Sequence, residues 1–209
     1  QWMNSTMGLL SPSVSITQYR VEGRLPSPVT EHVAAALQDN TIDDIDNEAN
    51  EQTFGWTAFD DPYQPAFTGS SFVIDTAWVF ALRIDKKQIP AKVLKKHYNM
   101  EVAKRLTASG RDYLSKAEKK QVKEHVVTVL NTRIPATPHV YDVLWHYEEG
   151  RLWFFSNLKT ANEALETLFT RSFKLSLVRL FPYTAGLHAG LSGPDRDALD
   201  QLKPTLFME

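Results

Sequence analysis

Apolar and polar positions alternate with period two from Ser13 to Glu22 (SVSITQYRVE), and the β-branched residues there predict a half-buried strand that Pro26 and Pro28 stop. From Thr30 to Gln38 the period becomes helical, with Val33, Ala34 and Leu37 on one side and Ser27 or Thr30 as the cap. Phe54, Gly55, Trp56 and Phe59 predict a strand entering the core. Phe72 to Ile84 (FVIDTAWVFALRI) is a long run rich in aromatic and β-branched residues, ended by Pro90. Ala91 to Leu106 is helical, with Leu94, Tyr98, Val102 and Leu106 at i+4 steps and Lys95 intruding on that stripe; Gly110 breaks it. Ser115-Lys116-Ala117-Glu118 reads as a capping box, opening a helix to about Thr132 with Val122, Val126, Val129 and Leu130 on its buried side. After Pro135 and Pro138 come the clearest hairpin (His139 to Tyr147, a Glu148-Glu149-Gly150 turn, Arg151 to Ser156) and a helix from Thr160 to Thr170 with Ala164, Leu165, Leu168 and Phe169 inward. Phe173 to Phe181 alternates as a strand, and a helix from Pro194 to Leu202 follows the cap candidate Ser192.

These elements predict an α+β fold of antiparallel sheets. Residues 9–89 read as a β-α-β-β half, 90–134 as a helical arm and 135–209 as a β-β-α-β half with a terminal helix, together one compact unit plus the arm. The Trp and Phe residues cluster in the strands and read as core.

At 209 residues the chain is long enough to bury a real core, and 43% apolar with 23% charged residues describes an ordinary globular protein. With no cysteine it has no disulfides, thiolate metal sites or cysteine nucleophiles. No apolar run approaches the roughly 18 residues of a membrane span. Residues 1–8 are set aside and show none of the charged and apolar regions of a signal peptide, so a cytoplasmic location is expected.

Charge distribution is more informative than composition. The stretch from Arg83 to Glu124 holds 13 of the 23 basic residues and five of the 25 acids, a formal +8, against −10 for the remainder. Lys116, Lys119, Lys120 and Lys123 fall at i, i+3, i+4 and i+7 on one helix face, although like charges at that spacing repel and cations in a first turn oppose the macrodipole. An anion would offset both, and phosphate near Ser115 to Ala117 would meet backbone N–H donors as well. The side chains expected to meet such a polyanion are Lys86, Lys87, Lys92, Lys95, Lys96, Arg111, Lys116, Lys119, Lys120 and Lys123. The plainer alternative is a solvated lysine face.

Other chemistry is thin. Asp39 to Asp61 carries eight acids and no lysine or arginine; its Asp44, Asp46, Glu48 spacing hints at a calcium loop, yet Ala49 and Gly55 stand where such a loop needs glycine and glutamate. The six histidines have no zinc spacing, and no GxSxG elbow, Walker loop or dinucleotide fingerprint is present. No catalytic residue is assigned, and no metal or cofactor is expected.

The residues now in view resemble the RdgC family of bacterial recombination-associated DNA-binding proteins. Gly55-Trp56, the run Ala81-Leu82-Arg83 through Asp85-Lys86-Lys87 to Ile89-Pro90, then Leu114 with Lys116, Glu118-Lys119 and Lys123-Glu124 carry the likeness. It continues through Val143-Leu144-Trp145 to Gly150, the Ala161 to Leu168 helix and Leu180-Phe181-Pro182. The resemblance implies a homodimer that binds duplex DNA without sequence preference through basic residues lining a channel, limits access of the RecA recombinase and associates with the nucleoid. Typical members run on past the last residue here, so a short form lacking the C-terminal region is expected, an open clamp or a different dimer in place of a closed ring. Family members also carry an exonuclease label. For that chemistry, which would use magnesium, Asp75, Asp85 and Lys87 are the candidates. A third reading is a protein-interaction module whose basic arm docks on an acidic partner, such as the Asp39 to Asp61 loop of a second copy.

Overall fold

The computed structural model describes residues 8–188 and 190–201, in the order β1 (Thr17–Glu22), α1 (Val29–Asp39), β2 (Gln52–Thr57), β3 (Val73–Ile74), β4 (Ala77–Lys86), α2 (Ala91–Ser109), α3 (Lys116–Asn131), β5 (Thr137–His146), β6 (Arg151–Phe154), α4 (Lys159–Phe173), β7 (Ser176–Leu180), α5 (Pro182–His188) and α6 (Gly193–Asp200). The fold is α+β, with one antiparallel sheet in the order β2-β4-β5-β6-β1-β7 and the short β3 paired to β4. Strands before and after the arm thus share a single sheet. Its junction is the long β4–β5 pairing, from Trp78 opposite Trp145 to Lys86 opposite Thr137.

Period two sets which side chains meet. Trp56, Trp78, Phe80, Leu82, Val143, Trp145, Leu152 and Phe154 share one sheet face with Tyr19, and α1 (Val33, Leu37) and α4 (Leu165, Leu168, Phe169, Phe173) cover it. Edge-on aromatic contacts fill the layer: Trp56 to Phe80 at 5.1 Å, Trp78 to Trp145 at 4.9 Å and Trp145 to Phe169 at 4.9 Å. Gly55 lets the 40–42 turn cross β2, for a Cβ there would stand 2.5 Å from the backbone of Ile42.

Several boundaries differ from the sequence reading for local reasons. The β1 alternation changes parity at Thr17: Val14 and Ile16 are exposed, while Thr17 and Tyr19 face inward, so the strand begins there. Pro28, not Ser27 or Thr30, is the N-cap of α1 and provides no side-chain cap. Phe173 belongs to α4, continuing the i+4 series Ala161, Leu165, Phe169; Lys174, at φ 57°, ends that helix before β7 starts. Ser192 accepts from the Asp195 N–H and caps α6; Leu202, the expected end of that helix, lies outside the described residues.

Helices α2 and α3 are inserted in the connection between β4 and β5 and pack on each other. Leu114, Val122, Val126 and Leu130 form their separate small core, against which Val93, Leu94, Tyr98, Val102 and Leu106 are half-buried. No residue of α2 is fully buried. Ser115 and Glu118 make both bonds of the capping box at the start of α3, and Gly110, at φ 62°, ends α2.

Candidate nucleic-acid interface

On α3, 100° per residue places Lys116, Lys119, Lys120 and Lys123 within an arc of about 100°; all four are exposed. Lys123 lines the same interhelical groove as Lys95 of α2, beside Leu94 and Tyr98. One flank of the hairpin therefore gathers ammonium groups from both helices. The opposite groove, lined by His97, Met100, Glu101, Lys104, His125 and Val129 among others, has a mixed character. Lys92 and Lys96 lie on the solvent side of α2, and Lys86 is exposed at the end of β4.

Other basic groups are held by the chain's own acids. Arg111 Nη2 donates to Glu118 Oε1 at 2.5 Å, and this bond, with those from the Ser115 backbone and hydroxyl, holds the Glu118 carboxyl down to about 2. Arg105 pairs with Glu101 at 3.2 Å, and the exposed Lys120 stands 3.7 Å from Glu124. The first turn of α3 still presents the N–H groups of Lys116 and Ala117, which have no preceding intrahelical acceptor.

Lys87 does not reach this surface. It is 6% exposed, and its Nζ donates to the carbonyls of Ile45 (2.5 Å), Glu48 (2.7 Å), Asn131 (2.5 Å) and Asp46 (3.2 Å). An ammonium has three protons, and these oxygens surround it. The acidic loop that resembles a calcium site in sequence wraps an internal cation instead. The Asn131 carbonyl, at the negative end of the α3 dipole, adds to the attraction. Asn131 Nδ2 to Ala49 O (3.3 Å) and Ala136 N to Asp46 Oδ1 (2.7 Å) complete the anchorage between the loop and the foot of the arm.

The nuclease candidates do not converge. Asp75 is exposed at φ 54° in the turn before β4; Asp85 lies at that strand's far end, roughly 30 Å away at about 3.3 Å per residue. Asp85 is 2% exposed and accepts two bonds from Arg83, at 2.7 and 2.5 Å, while Arg83 also donates to Pro62 O and faces the Tyr63 ring. Arg83 and Asp85 stand two apart on one strand face, so period two could have signalled the pair. Among the described residues no group of three or more His, Cys, Asp or Glu side chains is placed to hold a metal ion. No helix there is long and apolar enough to cross a membrane.

An α+β body carrying a cationic helical hairpin defines a class of protein suited to polyanions. The chain belongs to the RdgC family: the family model described as "Putative exonuclease, RdgC" matches residues 15–187, which include the whole arm. No curated protein matches the chain.

Proposed function

We propose that this protein binds DNA, duplex and without sequence preference, through the lysine-bearing flank of the α2–α3 arm. The observation that carries this reading is the exposed Lys116, Lys119, Lys120 and Lys123 face of α3, whose Lys123 lines one groove with Lys95 of α2. Lysine ammonium groups act as point charges toward phosphate and read no base, so contacts of this type give affinity without sequence information. Lys86, Lys92 and Lys96 extend the field along the arm. Arg111 contributes by locking the α3 cap with Glu118, and Lys87 by fixing the foot of the arm. Anisotropy titrations of unrelated labelled duplexes test this: equal affinities that weaken together with salt are expected, and binding indifferent to salt, or restricted to one sequence, refutes it.

Family membership supports a recombination-associated DNA-binding role at the level of the family, and we further propose that the protein acts there as a nucleoid-associated homodimer that restrains a RecA-type recombinase on DNA. Light scattering reads the dimer, and a strand-exchange assay with added protein reads the restraint. The family description favours a second reading, a magnesium-dependent exonuclease. Incubation of end-labelled duplex with Mg²⁺ decides between them: intact DNA is expected, and degradation that copurifies with the protein would establish the exonuclease.

A further inference from the structure

Where the sheet meets the arm, β2, β4 and β5 run on past the helix that covers them. The register lines up Trp56, Leu82 and Tyr141, then Phe54, Ile84 and His139, then Gln52, Lys86 and Thr137 in successive rows. Burial falls along them: Trp56 and Leu82 are inaccessible, Phe54 is half-buried, and Gln52 and Lys86 are exposed. The overhang and the side of α4 enclose a groove of about 500 Å³ floored by Phe54, Ile84 and Tyr141.

The groove has unspent polar groups. Burial raises the Tyr141 phenol above its ordinary pKa, so it remains a neutral donor at pH 7, and no described residue is hydrogen-bonded to it. The Gln52 amide, the Thr160 hydroxyl and the Lys86 ammonium are likewise without protein partners among the described residues. Beyond Phe54 the Arg171 guanidinium lies 5.9 Å from its ring, and the one lining carboxylate, Glu163, stands 3.8 Å from Lys159. Two accessible aromatic rings, an amide, two hydroxyls and a cation at the mouth match a nucleobase with its phosphate: the rings offer stacking, the amide and hydroxyls hydrogen-bond base edges, and Lys86 takes the phosphate. A base paired inside a duplex cannot present its face to such a groove.

We infer that this groove binds one unpaired nucleotide of a DNA strand, at a single-stranded tail or frayed end, next to duplex held on the arm. The inference rests on the nucleic-acid reading of the arm and adds a second site to it. The site discriminates strand ends and single strands from continuous duplex, which the lysines of α3 do not.

The test uses the full chain with a blunt labelled duplex and the same duplex carrying a short oligo-dT tail. The tailed DNA is expected to bind roughly tenfold tighter, within the range that stacking one base supplies. Thr160→Trp, which fills the groove from the exposed side of α4 without removing core, is expected to abolish that gain and leave blunt-duplex affinity unchanged. Tyr141→Phe, which keeps the ring, is expected to reduce the gain. If Thr160→Trp alters folding, photocrosslinking of a 5-iodouracil tail to the unmodified protein locates the tail directly: adducts on Tyr141 or Phe54 support the site, and adducts confined to the arm overturn it. Equal affinity of the wild type for blunt and tailed DNA overturns the inference and leaves the arm reading standing. Binding to neither DNA overturns both.

Discussion

Replacing Lys87 by methionine keeps the length of the side chain and removes its ammonium, leaving four backbone carbonyls facing an apolar tip. Three of the contacts lie at 2.5 to 2.7 Å and the fourth at 3.2 Å. A hydrogen bond to a charged group contributes about 1.5–3 kcal/mol, so three protons give a gross stabilisation of roughly 4.5–9 kcal/mol. Against this stands the cost of desolvating the ammonium, several kcal/mol. The orphaned carbonyls decide the sign: each buried acceptor left without a donor costs about 1–3 kcal/mol. The lower end applies here, because the exposed loop around Glu48 can readmit water. A loss of about 3 kcal/mol should lower Tm by roughly 6–12 °C in a chain of this size. Chemical denaturation gives the first number and differential scanning calorimetry the second. Hydrogen exchange should show the loss concentrated in the 45–49 loop and the last turn of α3, the segments the ammonium joins. A Lys87→Met protein within about 1 kcal/mol of the wild type would refute the assignment of Lys87 as the anchor of the arm.

Two carboxylates give pH-dependent predictions of opposite sign. Glu118 is held down to about 2, so the stability it gives the start of α3 is complete above the ordinary glutamate pKa, about 4.3, and is lost as pH falls toward 2; amide exchange across Ser115 to Lys119 should accelerate over that window in the wild type and stay flat in Glu118→Gln. Asp142 is pushed up by burial, an effect that the Leu9 N–H at 2.7 Å only partly offsets, so its charged form costs stability at neutral pH. Asp142→Asn can still accept that N–H and should raise Tm at pH 7, with the gain vanishing below the ordinary aspartate value; a lower Tm at pH 7 contradicts this.

Local patterning carried much of the architecture. The i+4 series along α4, the capping box at Ser115 and the hairpin around Gly150 each rest on residues a few positions apart, and there hydrophobic period and turn chemistry act directly. What escaped was set by contacts far apart in sequence. Lys87 looks like its neighbour Lys86, yet its ammonium meets carbonyls about 40 residues away on either side; no short-range pattern separates the two. The acidic loop does hold a cation, but through the backbone carbonyls of Ile45, Asp46 and Glu48, which no side-chain pattern reports. Phe54 reads as core because period two gives its face but not how far α4 extends over it. The four lysines of α3 were legible from spacing alone, whereas the placement of Lys123 beside Lys95 depends on how α2 and α3 pack.

Salt dependence of duplex binding is the decisive measurement for the arm. If the arm neutralises about six phosphates, log K against log salt has a slope near −5, and Lys116→Gln, Lys119→Gln, Lys120→Gln and Lys123→Gln combined should flatten it to about −2 while weakening all sequences alike. A quadruple variant that binds duplex with the wild-type slope would contradict the assignment of this flank as the DNA-binding surface.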